Sequence, residues 1–427
     1  MKHPVAVHAM ICLIAAGAWA ATYTMNPVTV DTFWDDSALW DIGGYPNASG
    51  AEVIISNNNV GGATGARNLR INVPCTVGVV RCVGQTNLNV RPVLANWAQT
   101  LYFDNPSGTA LVETKATTVA YALELNSAIH LLSDLEVRIV SQSTINVYCD
   151  VSGAGDMYLY GTAAPGYMRL STSSPWNNFS GGVYVYNGAD FPQTAANTFL
   201  MTNSVVTLGA NGLLRIMAGS KQIGKRLVAL NNTQIYSYYN YQYWLTNMAL
   251  EIHGNLNLRA DGAANSGRYV YYHGDVSGTG MITCSTGAGF TNRFVGSVSP
   301  GLNAGAITFA AGSNAKLLFG QAGSPLLLNI EDGDQVAVSN IAYAVNLADF
   351  DVKFLTTTAV GTTNWFLYSS AGFTGGAFTN SPDFGVFSGY CVSNVPGMEN
   401  YIGVVVVPEP ALLLMSLCGA LAVRFRR

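Results

Sequence analysis

The residues of this chain that could do chemistry are few, and they are scattered. Seven cysteines occur, and none stands in a CxxC or Cys/His spacing that would hold a metal. Cys12 and Cys418 fall in terminal segments. The other five, Cys75, Cys82, Cys149, Cys284 and Cys391, are odd in number, so at least one thiol is unpaired or bonds another molecule. Cys75 and Cys82 are placed to close a short loop in an oxidising compartment. Cys149, Cys284 and Cys391 stand among apolar neighbours and read as buried thiols. His130 and His253 fall outward in alternating stretches, and His273 follows Tyr271-Tyr272. No nucleophile elbow, P-loop or metal-binding His pair accompanies them, so they read as solvated.

The acids give no clearer site. Glu331-Asp332-Gly333-Asp334 lacks the alternating carboxylates of a calcium loop and reads as an acidic turn. Asp35-Asp36 and the pair Asp349 and Asp351 are read the same way. The sequence therefore names no catalytic residue, no metal ligand and no cofactor, and the chain is expected not to be an enzyme. The alternative is a polysaccharide-active β-helix lyase or hydrolase. It has no named site, because catalytic carboxylates are defined by separation in space. The most unusual surface candidate is YSYYNYQYW, Tyr236 to Trp244. Period-2 alternation sets Tyr239, Tyr241 and Tyr243 on one side, with Trp244 beside them. Such rings stack on sugars or on one another, which makes a glycan-binding module a further alternative.

The elements that carry these residues are short. Charged residues make up 10% of the 427 and glycines number 45. Ordinary soluble domains carry about 25% charge. NSVVTLGANGLLRI sets Val206 and Leu208 on one face, turns at Asn211-Gly212, and sets Leu214 and Ile216 on the next. LEIHGNLNLRADG repeats this with Leu250, Ile252, Leu256 and Leu258. SDLEVRIVS turns Leu135, Val137 and Ile139 inward and Glu136 and Arg138 outward. Strands this short must stack on one another. Asp150-Val151-Ser152-Gly153-Ala154-Gly155 returns as Asp275-Val276-Ser277-Gly278-Thr279-Gly280, and no charged or proline-rich linker lies between. The expected fold is all-β, a single elongated right-handed parallel β-helix (solenoid), with a β-sandwich as the alternative.

Both termini read as addresses. MKHPVAVHAMICLIAAGAWA has a basic Lys2, an apolar run and small residues at Ala18 and Ala20, which predicts a secretory signal cleaved after Ala20 by signal peptidase. At the other end, Pro408-Glu409-Pro410 stops the strand that precedes it, because two prolines remove two backbone donors. Thirteen apolar residues, Ala411 to Val423, and then Arg424, Arg426 and Arg427 follow. Arginines beyond an apolar segment stay on the cytoplasmic side and leave the Pro-Glu-Pro outside. Losing these termini makes the chain more acidic than its full-length net charge of −4, and no basic stripe is present to meet nucleic acid.

Val407-Pro408-Glu409-Pro410, the apolar run and the arginines closely resemble the PEP-CTERM sorting signal. That resemblance implies processing by an exosortase-type membrane protease, transient inner-membrane anchoring, and a place on the outer surface or in the exopolysaccharide matrix of a Gram-negative, biofilm-forming cell. WNNFSGGVYVYNGADF, Trp176 to Phe191, resembles the β-strand repeats of autotransporter passengers, with Asn178-Phe179-Ser180-Gly181-Gly182 before the strand and Asn187-Gly188 after it. Ser299-Pro300-Gly301 with Ala304-Gly305, the Trp-rich entry Trp34 to Asn47, and the closing stretch Thr362 to Asn380 resemble other parts of the same proteins. The resemblance implies a secreted structural or adhesive protein. Its divisions are a signal peptide (1–20), a solenoid body (21–345), capping strands (346–401) and a sorting tail (402–427).

Overall fold

In the computed structural model the alternating stretches are strands, and each strand is one side of a coil. The structure describes residues 20–407 except 27, 29, 57–66, 84–91, 97–98, 116–122, 141–143, 162–166, 171–177, 188–200, 217–218, 222–223, 238–242, 247, 261–267, 287–289, 302–303, 313–314, 357–358, 386 and 394. Ala18, Pro408, Glu409, Pro410, Arg424, Arg426 and Arg427 lie outside the described residues, as do the expected signal and sorting helices. Ala20 is exposed, and Val407 ends the last strand, Tyr401–Val407.

One inward ladder shows how the chain folds. Val53 pairs with Val80, Val80 with Val112, Val112 with Val137 and Val137 with Leu159. Leu159 pairs with Val185, Val185 with Leu208, Leu208 with Ala229 and Ala229 with Ile252. Every pairing is parallel, and every one of these side chains is buried. The offset varies from 21 residues between Leu208 and Ala229 to 32 between Val80 and Val112. A β-sandwich would pair its strands antiparallel. The body is a parallel β-solenoid, and no α-helix occurs among the described residues.

A coil has three sides. Glu52–Ser56 belongs to a 17-stranded sheet, Arg67–Ile71 to a six-stranded sheet and Cys75–Val77 to a four-stranded sheet. Toward the C terminus a nine-stranded sheet takes one side, and two 11-residue strands, Arg268–Gly278 and Phe290–Pro300, run round a corner and merge the other two. The apolar alternate residues of all sides form one core cluster from Met25 to Val404. Burial of each such Val or Leu contributes about 1.5–3 kcal/mol. Farther along, rings take over the interior: Phe294, Phe309, Phe319 and Phe350 make contacts with centroids 4.8–5.4 Å apart.

The near-repeat has a common structural cause. Gly153 and Gly278 adopt φ of +106° and +97°, and a Cβ on either would lie 2.3 Å from the Leu131 carbonyl oxygen or 2.2 Å from that of Ile252. Each therefore lies against the backbone of the coil before it, which only glycine permits. Val151 and Val276 are buried in both copies.

The two ends close differently. At the first coil, Trp34 and Trp40 are buried at 5.2 Å between ring centroids. The indole of Trp34 donates to the Pro46 carbonyl (2.8 Å) and that of Trp40 to the Trp34 carbonyl (2.9 Å). At the far end the parallel order stops. Thr363–Ser369 runs parallel to Gln335–Ser339 but antiparallel to Tyr401–Val407, which in turn pairs antiparallel with Ser388–Val392. Reversing direction turns the last rung into a hairpin-like cap over the stack.

Candidate functional site

The outward residues of the 17-stranded sheet bring together four tyrosines from two neighbouring strands. In Met157–Gly161 and Val183–Tyr186 the alternate residues Met157, Leu159, Val183 and Val185 are buried, so Tyr158, Tyr160, Tyr184 and Tyr186 point out and are half-buried. Parallel in-register pairing sets Tyr158 against Tyr184 and Tyr160 against Tyr186. The rings stack at 4.8 Å and 11° for the first pair, and at 5.3 Å and 14° for the second. Tyr184 and Tyr186 lie side by side at 6.5 Å with their planes parallel to within 3°, so the four rings form a two-by-two tile stacked between neighbouring coils. Glycine makes the room: a Cβ on Gly209 would fall 2.0 Å from the Tyr186 ring, and one on Gly182 2.9 Å from that of Tyr184. Each stacked pair also ties two coils together, worth about 0.2–1 kcal/mol.

Charges border the tile. One coil earlier, Glu136 pairs with Tyr158 and Arg138 with Tyr160. Arg138 is committed to Glu136 through two bonds of 2.5 and 2.9 Å, which raise its pKa. Beyond it, Arg81 bonds Glu52 (2.6 Å) and Glu113, and Lys115 lies 3.4 Å from Glu113. Asp134 and Asp156 repeat one corner in consecutive coils. Asp156 N donates to Asp134 Oδ1 (2.9 Å), and Gly182 N donates to Asp156 Oδ1 (2.7 Å). The Tyr158 hydroxyl donates to Asp156 Oδ2 (3.4 Å). Burial, and then the charges of Asp156 and Asp134, push the Tyr158 hydroxyl up to about 12. Burial together with neighbouring carboxylates raises Tyr160 and Tyr184 as well.

Asp134 also lines an open groove of about 850 Å³ with His130, Ser133, Ser152, Asn178 and Ser180. His130 and Ser152 are partners in the four-stranded sheet, with His130 Nδ1 2.8 Å from Ser152 Oγ. The Ser152 hydroxyl also lies within donating distance of the Ile129 carbonyl (3.1 Å), so it is shared between the imidazole and the backbone. Tyr102 packs edge-on against His130 at 5.5 Å.

The other residues singled out by sequence are held by local turns. Asp334 is fully buried, and its oxygens accept from Gly305 N (3.0 Å) and Glu331 N (2.8 Å). Asp35 accepts from Asn72 Nδ2 (2.7 Å), and Asp36 caps the short turn Ser37–Leu39 through Ala38 N. Asp351 accepts from Asn380 twice, at 3.0 and 2.6 Å, and burial raises Asp349. His253 is exposed and lies 2.5 Å from Glu251, which also holds Arg226. His273 is half-buried, and burial followed by the charge of Arg293 lowers its pKa. Among the described residues no three His, Cys, Asp or Glu are grouped to hold a metal ion.

Tyr239 and Tyr241 lie outside the described residues. Tyr243 and Trp244 belong to the strand Tyr243–Thr246, paired with Val270 and Tyr271. The four-tyrosine tile was missed in the sequence because it needs the register between coils. MYLYG and VYVY were its visible signal.

The cysteines differ from the loop that the sequence allows between Cys75 and Cys82. None of the five described cysteines is in a disulfide. Cys75 lies on the four-stranded sheet opposite Leu101, and Cys82 lies on the 17-stranded sheet opposite Ile55. The corner at Gly78 separates them onto different sides of the coil. Burial pushes both thiols up to about 12. Cys149 and Cys284 are buried, as expected, and burial raises them too, whereas Cys391 is half-buried.

Comparison of the whole chain with family models, curated proteins and solved structures finds no match.

Proposed function

We propose that this chain is a secreted structural or adhesive protein of the bacterial outer surface or extracellular matrix, sorted through its C-terminal segment by an exosortase-type protease and associated with exopolysaccharide. The observation that carries the proposal is the continuous solenoid, one core and one ladder from the first coil to the last, with aromatic and polar residues arrayed on its outside. A stack of coils offers long repeating faces, and that geometry suits contact with an extended polymer or a cell surface. Asp334 and Asp36, two of the acids that the sequence singles out, accept hydrogen bonds from backbone amides. No helix among the described residues is long and apolar enough to cross a membrane. Anchoring would therefore fall to the apolar segment Ala411 to Val423 until it is removed.

The test is protease treatment of intact native cells, with the protein followed by antibody. Loss of the cell-associated signal while a periplasmic marker survives supports a surface location. Full protection of the protein in unbroken cells overturns it.

A further inference from the structure

Among the described strands, Ser388–Val392 is the last of the nine-stranded sheet, and it is paired on one side, with Tyr401–Val407. A groove of about 560 Å³ is lined by every residue from 389 to 393. Alternate side chains of a strand point to opposite faces, so a groove that touches all of them follows the strand's edge. Apolar groups supply much of its wall. Leu347 and Ile402 are buried, and Phe378, Pro382, Phe384 and Val392 are half-buried. Two polar groups at the groove are already engaged, Thr379 with the Ala348 carbonyl and Asn380 with Asp351. A strand edge beside apolar side chains is a template for a further segment of chain.

The chain itself leaves the described fold beside this groove. Val407 is the cross-strand partner of Ser388, and Ser388 is one residue before Gly389 in the groove wall. From Val407 to Ala411 there are four peptide steps, a reach of about 13 Å. The far side of Ser388–Val392 is two strand spacings away, about 10 Å. The apolar run from Ala411 to Val423 therefore begins within reach of the groove. As a helix that run is about 20 Å long, against a hydrocarbon core of about 30 Å, so a bilayer covers it poorly. A tethered segment meets the groove at an effective concentration of about millimolar, which a second copy in dilute solution does not match.

We infer that the apolar run Ala411 to Val423 docks in this groove of its own chain, along the edge of Ser388–Val392, as long as the chain is whole. The groove is then a holding site that keeps the run out of water. Docking and membrane insertion are alternatives for one segment, and a membrane or a peptidase acquires it only on release from the groove. The docking is a property of the whole chain by itself and does not depend on where the protein is delivered or on whether the tail is later removed.

The experiment is amide hydrogen exchange on the purified whole chain in detergent-free buffer, compared with the variant Leu413→Asp/Leu414→Asp. The substitutions lie beyond the last described strand, so they leave the cap's own packing in place. The expected result is that amides of residues 376–382 and 389–393 exchange about tenfold or more slowly in the whole chain than in the variant. Amides of Thr363–Ser369, on the other side of Tyr401–Val407, exchange alike in both and control for folding of the cap. Equal rates at the groove in the two chains overturn the docking. Protection of the groove that rises with protein concentration in both chains overturns it too, because a second copy is then the occupant. The measurement uses pure protein, so its failure is separable from failure of the surface location, which is read on whole cells.

Discussion

At the residue scale, the aspartates of this chain serve as corners. Asp156 accepts from Gly182 N and holds the turn that starts the strand carrying Tyr184 and Tyr186. Asp156→Ala leaves that backbone donor unanswered, at a cost of about 1–3 kcal/mol. Asp156→Asn keeps an acceptor oxygen and is expected to cost less than half as much. Denaturant unfolding of the two variants measures the difference, and equal losses would show that the bond to Gly182 is not the cause. The sequence showed Asp156 only as one acid among many. Its role depends on an amide 26 residues away, which alternation within a single strand does not reveal.

At the element scale, the strands and their inward faces were legible, because period-2 alternation is local. Leu135, Val137 and Ile139 are buried, with Glu136 and Arg138 outside, as the sequence implies. The coil-to-coil register was not legible, since loops of different length change the offset from one rung to the next. That is why the tyrosines of MYLYG and VYVY were not joined into one surface, and why Cys75 and Cys82 looked close enough to pair. The near-repeat was the exception. Its glycines mark a contact between coils that no other residue tolerates. Gly153→Ala and Gly278→Ala each place a methyl group against a carbonyl at positive φ, and each is expected to destabilise by about 2 kcal/mol or more. Gly376→Ala, where nothing lies within 4 Å, is the matched control. Melting temperatures of the three variants read the contrast, and a loss no larger at Gly153 than at Gly376 would contradict the stacking account.

At the scale of the whole molecule, the fold supplies a long stack closed by tryptophans at one end and by antiparallel strands at the other. Tyr401–Val407 is the middle strand of that closing unit, and its last residue, Val407, is the residue before Pro408. Removal of everything beyond it would leave the cap and its pairing with Ser388–Val392 whole. The most direct measurement is the intact mass of the protein recovered from its native cells, fraction by fraction. The account predicts a chain starting at about Ala21 and ending near Pro408, found outside the inner membrane. A chain that keeps Ala411 to Arg427 and stays in the inner membrane would contradict it.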